Sequence, residues 1–143
     1  MIDAKCVDII HPDLATSGGL LETKKIADYA QEAGIAAAFH QAGTPVTFMA
    51  NVHCAAASEN FLALEHHGVD NPDWGKVVKM TGSQQAMYAD GFANIPLDSP
   101  GLGIELIDDA IKEFHMPRYA EYGEIWAPTD SWNNRNSNDR LWS

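Results

Sequence analysis

Three titratable residues each stand behind a short apolar run. Asp13 follows Cys6-Val7-Asp8-Ile9-Ile10, His40 closes Ile35-Ala36-Ala37-Ala38-Phe39, and Glu65 closes Phe61-Leu62-Ala63-Leu64. If the runs are adjacent strands of a parallel sheet, about 5 Å apart, the three groups gather at one end, where α/β folds assemble their sites. An Asp–His hydrogen bond is then within reach. A carboxylate that holds one imidazole nitrogen fixes the tautomer and leaves the other nitrogen to exchange a proton near neutral pH. Glu65 can meet a substrate carboxylate or a developing negative oxygen, provided it is protonated or hydrogen-bonded. Plainer readings stand beside these. Asp13 after Pro12 caps a turn, His40 is a structural hydrogen-bonded imidazole, and Glu65-His66-His67 is a solvated loop.

Other groupings offer less. His40, His53, Cys54, His66 and His67 raise the question of zinc, but the ligand spacings are absent and adjacent strand residues such as His66 and His67 point in opposite directions. Gly101-Leu102-Gly103 has neither the third glycine nor the strand-to-helix context of a phosphate loop. Gly18-Gly19 at a helix start could bind an anion, or only allow close packing. Cys6 and Cys54 are too few and too far apart for a disulfide framework or a CxxC metal site. Both are expected to be free, buried thiols in a reducing cytoplasm.

The elements that must position the three residues follow from periodicity. The runs begin near residues 6, 35 and 61, at spacings of roughly 26 to 29 residues that suit successive right-handed βα units. Their nearly continuous apolar character predicts strands covered on both faces. Residues 12–19 supply turn and cap candidates, and Leu20, Leu21, Ile26, Ala27 and Ala30 recur at mostly helical spacing up to Gly34, a C′ glycine. Thr44-Pro45 reads as an N-cap with proline at the first helical position, opening a helix from 46 to about 57 that is apolar nearly all round. Residues 71–79 are helical in part, 89–97 suit a hairpin, 99–104 form a turn entering an extended piece, and Asp108-Asp109 cap a short helix through Phe114. Beyond Tyr119 the chain lacks periodicity, and Trp126, Trp132 and Trp142 are expected to need a partner surface.

The bulk composition excludes several classes. At 143 residues with 45% hydrophobic content the chain can build one core, yet it falls well short of a complete eight-stranded barrel, typically about 250 residues. A formal net charge of −11 with no block of Lys and Arg argues against nucleic acid. No apolar stretch suggests a signal peptide or a membrane span, and the expected location is the cytoplasm.

The motifs together resemble a known family. Asp8-Ile9-Ile10-His11-Pro12-Asp13-Leu14-Ala15-Thr16-Ser17-Gly18-Gly19, followed by Glu22-Thr23-Lys24-Lys25-Ile26, resembles the sixth-strand region of the mandelate racemase and muconate lactonizing branch of the enolase superfamily. Phe39-His40-Gln41-Ala42-Gly43-Thr44-Pro45 is similar to its seventh strand and loop, and Glu59-Asn60-Phe61-Leu62-Ala63-Leu64-Glu65-His66-His67 to its eighth. Ser99-Pro100-Gly101-Leu102-Gly103-Ile104-Glu105 is similar to the segment that returns to the N-terminal capping domain. The likeness covers about residues 1 to 115 and within the branch is closest to galactonate- and mannonate-type dehydratases.

The resemblance implies an α/β fold, the C-terminal part of a TIM-type (β/α) barrel with about three parallel βα units. These units and a hairpin occupy 1–98, the closing segment 99–115 and a Trp/Asn-rich tail 116–143. It implies the chemistry of an acid-sugar dehydratase: Mg²⁺ polarises the substrate carboxylate, a base removes the α-proton, and the β-hydroxyl leaves as water. Carried over, His40 is the acid/base, Asp13 its orienting partner, and Glu65 the group near the substrate carboxylate. The family's metal ligands lie on its third to fifth strands, for which this sequence has no counterpart, so no Mg²⁺ is expected on this chain alone. The implied partners are a sugar-acid substrate and a second copy or complementing chain. Alone the chain is expected to be inactive, as a truncated reading frame, a cleavage product or one piece of a split enzyme. The competing reading is a non-catalytic barrel remnant that oligomerises as an interaction module. An independent nucleotide-binding domain lacks its glycine fingerprint at residues 14–19.

Overall fold

The computed structural model describes residues 1–113, so Phe114 and the tail tryptophans lie outside the described residues. One compact unit spans Met1–Ile107, and a second begins at Asp108. In the first, strands β1 (Ile9–Ile10), β2 (Ala36–Phe39) and β3 (Phe61–Leu64) form a parallel sheet in the order β1-β2-β3. The crossover helices are α1 (Gly19–Glu32) and α2 (Pro45–Ala56). This is the βαβαβ arrangement that the spacing of the apolar runs predicts.

Each helix ends as its sequence dictates. Gly34 adopts a φ of +74°, a region costly to side chains with a Cβ. There its N–H donates to the Gln31 carbonyl at 2.9 Å while the Ile35 N–H reaches back to Ala30 at 2.9 Å, the paired bonds of a Schellman stop. Thr44 is extended and its hydroxyl oxygen accepts from the Thr47 N–H, with Pro45 behind it at the helix start. Asn60 joins the first unit to the third strand: its amide donates to the Ala27 and Ile35 carbonyls, both at 2.9 Å.

The core divides around α2. Ala50, Cys54 and Ala55 pack with Ile10, Leu14, Ala27, Ala30, Ile35, Ala37 and Phe39. Phe48, Met49 and Val52 face Trp74, Val78 and Met87 on the other side. Burial on both flanks is what an almost wholly apolar helix requires.

Five expectations need correction. The first strand is two residues long rather than five, and Cys6, outside it, is exposed; Cys54 alone is a buried thiol, and burial raises its pKa. Leu21 is 67% exposed, because the buried stripe of α1 is Thr23, Ala27 and Ala30. The strands are not covered on both faces throughout: β2 buries Ala37 and Phe39, whereas β3, paired on one side only among the described residues, leaves Phe61 and Leu62 exposed. Of the pair His66-His67, weighed as a solvated loop, His67 is exposed, whereas His66 stacks on Phe48 and packs against Trp74 and Tyr88.

The second half is built from short pieces. Helix α3 (Trp74–Val77) leads into β4 (Val78–Met80), which pairs antiparallel with β7 (Ile104–Leu106). Between them β5 (Tyr88–Ala89) and β6 (Phe92–Ala93) form the hairpin. Its turn residues Asp90 and Gly91 have φ of 51° and 81°, the conformation that an Asp-Gly pair favours. In the second unit, α4 (Asp108–Glu113) carries Asp108 and Asp109 in its first turn, where the helix dipole favours negative charge. Among the described residues no helix is long and apolar enough to cross a membrane.

Candidate functional site

The register of the parallel sheet brings Asp13, His40 and Glu65 together. Ile9 pairs with Ala36 and Ile10 with Ala37, and the same offset continues past the strand ends to an isolated bridge between Asp13 and His40. The His40 N–H donates to the Pro12 carbonyl at 3.0 Å, which fixes the two chains at that level. Between β2 and β3 the register shifts at Ala37/Ala38, so Phe39 faces Leu64 and Glu65 comes next to His40. Without that irregularity, Glu65 would sit one residue out of step and face the other side of the sheet.

The side chains meet accordingly. His40 Nδ1 donates to Asp13 Oδ2 at 2.5 Å, and the second oxygen, Oδ1, accepts from the Ala15 N–H at 2.7 Å. One carboxylate thus orients both the imidazole and its own turn. His40 Nε2 stands 3.6 Å from Glu65 Oε2, its approach open to solvent. Behind His40, Asn51 is fully buried and donates to Gln41 Oε1 at 2.8 Å and to the His40 carbonyl at 3.3 Å. Gln41, also buried, donates to the Thr44 carbonyl at 3.3 Å. Buried amides paired in this way anchor the loop that carries His40 to the start of α2.

Two further histidines complete the group. His67 Nε2 donates to Glu65 Oε1 at 2.6 Å. His11 Nε2 donates to Glu65 Oε2 at 3.0 Å, with its Nδ1 against the Ala38 carbonyl at 2.8 Å. The His67 hydrogen bond, opposed by burial and aided by the His11 bond, holds the Glu65 carboxyl below its usual range. Glu65 is therefore an ionised acceptor, so of the two conditions set by its sequence position the hydrogen-bonded one is met. His66 is of another kind: burial, followed by the charge of His67, lowers its pKa and keeps it neutral among aromatic rings.

The zinc grouping suggested by composition does not assemble: His66 lies in the aromatic cluster and Cys54 in the core. His11 did not stand out as a site residue in the sequence, and His67 entered only through the zinc grouping. For His67 the period of two held the signal, since it lies two residues after its partner Glu65.

The family described as enolase C-terminal domain-like matches residues 1–110, and the chain belongs to it. The proteins it is similar to include ones named as acid-sugar dehydratases and a D-galactarolactone cycloisomerase, and solved structures of the mandelate racemase and muconate lactonizing branch. D-Xylonate dehydratase of Haloferax volcanii is 40% identical over 116 residues, covering 81% of this chain and 27% of that protein. A mandelate racemase/muconate lactonizing enzyme-like protein from Rubrobacter xylanophilus superposes with a TM-score of 0.73 at 35% identity, over 81% of this chain and 29% of that one. An enolase from Pantoea ananatis, solved with bound D-gluconate and Mg²⁺, has a TM-score of 0.66 at 29% identity, over 78% of this chain and 26% of that one. The chain spans less than a third of the length of each.

The donors present do not suit Mg²⁺. Among the described residues, the group whose ligand atoms lie within 4.8 Å of one another is His11, His40 and Glu65, two imidazoles and one carboxylate. Mg²⁺ demands oxygen ligands in octahedral array and keeps much of its water.

Proposed function

We propose that the three βα units are consecutive units of a (β/α) barrel and carry the proton-transfer side of an acid-sugar dehydratase site. The carrying observation is the His40–Asp13 pair at the strand ends. Nδ1 is committed to the carboxylate at 2.5 Å, which leaves the Nε2 lone pair on the partly exposed side beside Glu65. In this reading His40 Nε2 takes the proton α to the substrate carboxylate, or returns one to the departing hydroxyl. Asp13 holds the tautomer, and Glu65 with His11 and His67 positions the substrate's oxygens through hydrogen bonds. The likeness to a D-xylonate dehydratase and to a D-gluconate-bound neighbour supports an aldonate as the substrate class. Mg²⁺, present in the D-gluconate-bound neighbour, would be held by groups other than the described cluster and would supply polarisation of the substrate carboxylate.

The test is complementation. The chain is co-expressed with a polypeptide supplying the remaining length of its dehydratase relative, and loss of water from D-xylonate and D-gluconate is followed. The pair should turn over, His40→Gln should lower kcat by about 10² to 10⁴, and the chain alone with Mg²⁺ should be silent. Turnover that survives His40→Gln, or turnover by the chain alone, refutes the assignment.

A second reading is favoured by one observation, the flank of β3 that no other strand pairs among the described residues. Phe61 and Leu62 are 41% and 55% exposed, and they border a groove of 640 Å³ with Val52, Ala55 and Phe92. An unpaired apolar edge of this kind seeks another strand, which supports an oligomerising module. Solution mass separates the cases, because a compact monomer argues against both an incomplete barrel and an obligate assembly.

A further inference from the structure

We infer that the cluster of His11, His40 and Glu65 is a binding site for a borderline transition ion of the Zn²⁺ class, distinct in donor type from any Mg²⁺ site. The argument stands on geometry. His11 Nε2 and His40 Nε2 lie 3.0 Å and 3.6 Å from the same oxygen, Glu65 Oε2. In a tetrahedral site with zinc about 2.0–2.1 Å from nitrogen and oxygen, ligand atoms stand roughly 3.3 Å apart. The two nitrogen–oxygen separations bracket that value and all three ligand atoms lie within 4.8 Å of one another, so side-chain rotations that close the two imidazoles on the carboxylate would seat an ion.

The outer groups match as well. Metal-bound imidazoles nearly always present their other nitrogen to a carboxylate or a backbone carbonyl, and ligating carboxylates are themselves hydrogen-bonded. Here His40 Nδ1 is held by Asp13, His11 Nδ1 by the Ala38 carbonyl, and the second oxygen of Glu65 by His67. All three ligands are already oriented, with both Nε2 atoms turned to one point. Two histidines and one carboxylate leave a fourth position for water, a donor set that suits zinc and its neighbours rather than magnesium. On binding, the proton that His11 Nε2 shares with Glu65 is released. The ion would use the same His40 lone pair as the proposed base, so occupancy and proton transfer exclude one another. That last consequence rests on the proposed function; the site itself does not.

Calorimetric titration of the full chain with Zn²⁺, and Co²⁺ absorption as a probe of tetrahedral nitrogen and oxygen ligation, test the inference. One ion per chain is expected, with no response to Mg²⁺ at the same concentration. Glu65→Gln and His11→Gln should each weaken binding by tenfold or more, and Asp13→Asn by about 10- to 100-fold. His11 is half exposed, so its replacement leaves the fold intact, as circular dichroism can verify. Cys6→Ser and His53→Gln should bind as the wild type does. Absence of binding by the wild type, or binding that persists unchanged in both His11→Gln and Glu65→Gln, overturns the assignment.

Discussion

Replacing Asp13 by Asn exchanges one oxygen for an amino group and asks whether the carboxylate sets the His40 tautomer. Asp13 Oδ1 accepts from the Ala15 N–H at 2.7 Å, and Oδ2 from His40 Nδ1 at 2.5 Å. An Asn that keeps its oxygen on Ala15 must turn its NH₂ toward His40. Two donors then face each other, and the relief is for His40 to move its proton from Nδ1 to Nε2. The lone pair beside Glu65 is lost. A hydrogen bond to a charged group contributes about 1.5–3 kcal/mol. The two side chains are 31% and 21% exposed, and a neutral bond takes the place of the charged one. The net cost is therefore about 1–2 kcal/mol after screening. At a urea slope of about 2 kcal/mol/M the midpoint falls by about 0.5–1 M. Long-range ¹H–¹⁵N correlation spectra in mildly alkaline buffer, where imidazoles are neutral, read the tautomer directly. In the complemented enzyme the same change should lower kcat by about 10⁴, the loss known for the wrong tautomer in a Ser-His-Asp triad. Asp13→Ala also loses the bond to Ala15 and should be the less stable of the two variants. If His40 in Asp13→Asn stays protonated at Nδ1 and the midpoint does not move, the reasoning fails.

Other perturbations follow from the same structure. Phe48 is 2% exposed with its ring 4.4 Å from His66 and 5.7 Å from Tyr88, so Phe48→Ala should cost about 3–5 kcal/mol by chemical denaturation. Gly34→Ala should cost about 1–2 kcal/mol, because a Cβ at a φ of +74° is strained even though no atom crowds it; Gly34→Asn should recover part of the loss. Glu65 has its pKa lowered on folding, chiefly by His67, so its ionised form is the one the fold favours. The sign is then fixed: that stabilisation is whole above the ordinary value of 4.5 and disappears as pH falls through the lower folded value. Urea midpoints measured toward acid should decline more steeply for the wild type than for Glu65→Gln, and parallel curves would contradict the His67–Glu65 bond.

Much of this was legible in the residues themselves. Three apolar runs at nearly equal spacing gave the parallel units, and Gly34 and Thr44-Pro45 marked the helix ends. Asp13, His40 and Glu65 were visible because each is the first or second polar group after a run. What spacing does not carry is register. The shift at Ala37/Ala38 that brings Glu65 to His40 leaves no mark in hydrophobicity, since Ala37 and Ala38 are alike. Nor does a local pattern show that His11, half exposed, turns across two strands to reach Glu65. The exposure of Leu21 and Leu62 was equally hidden, because periodicity shows which face is apolar and not whether a neighbour covers it.

The central claim is that His40 moves the α-proton of a sugar acid. It is met most directly by deuterium incorporation at the α-carbon of D-xylonate or D-gluconate in D₂O, followed by proton NMR with the complemented chain. The account predicts α-deuteration by the wild type and its loss by about 10² or more in His40→Gln, with aldonate binding retained. Deuteration at an unchanged rate in His40→Gln would contradict it.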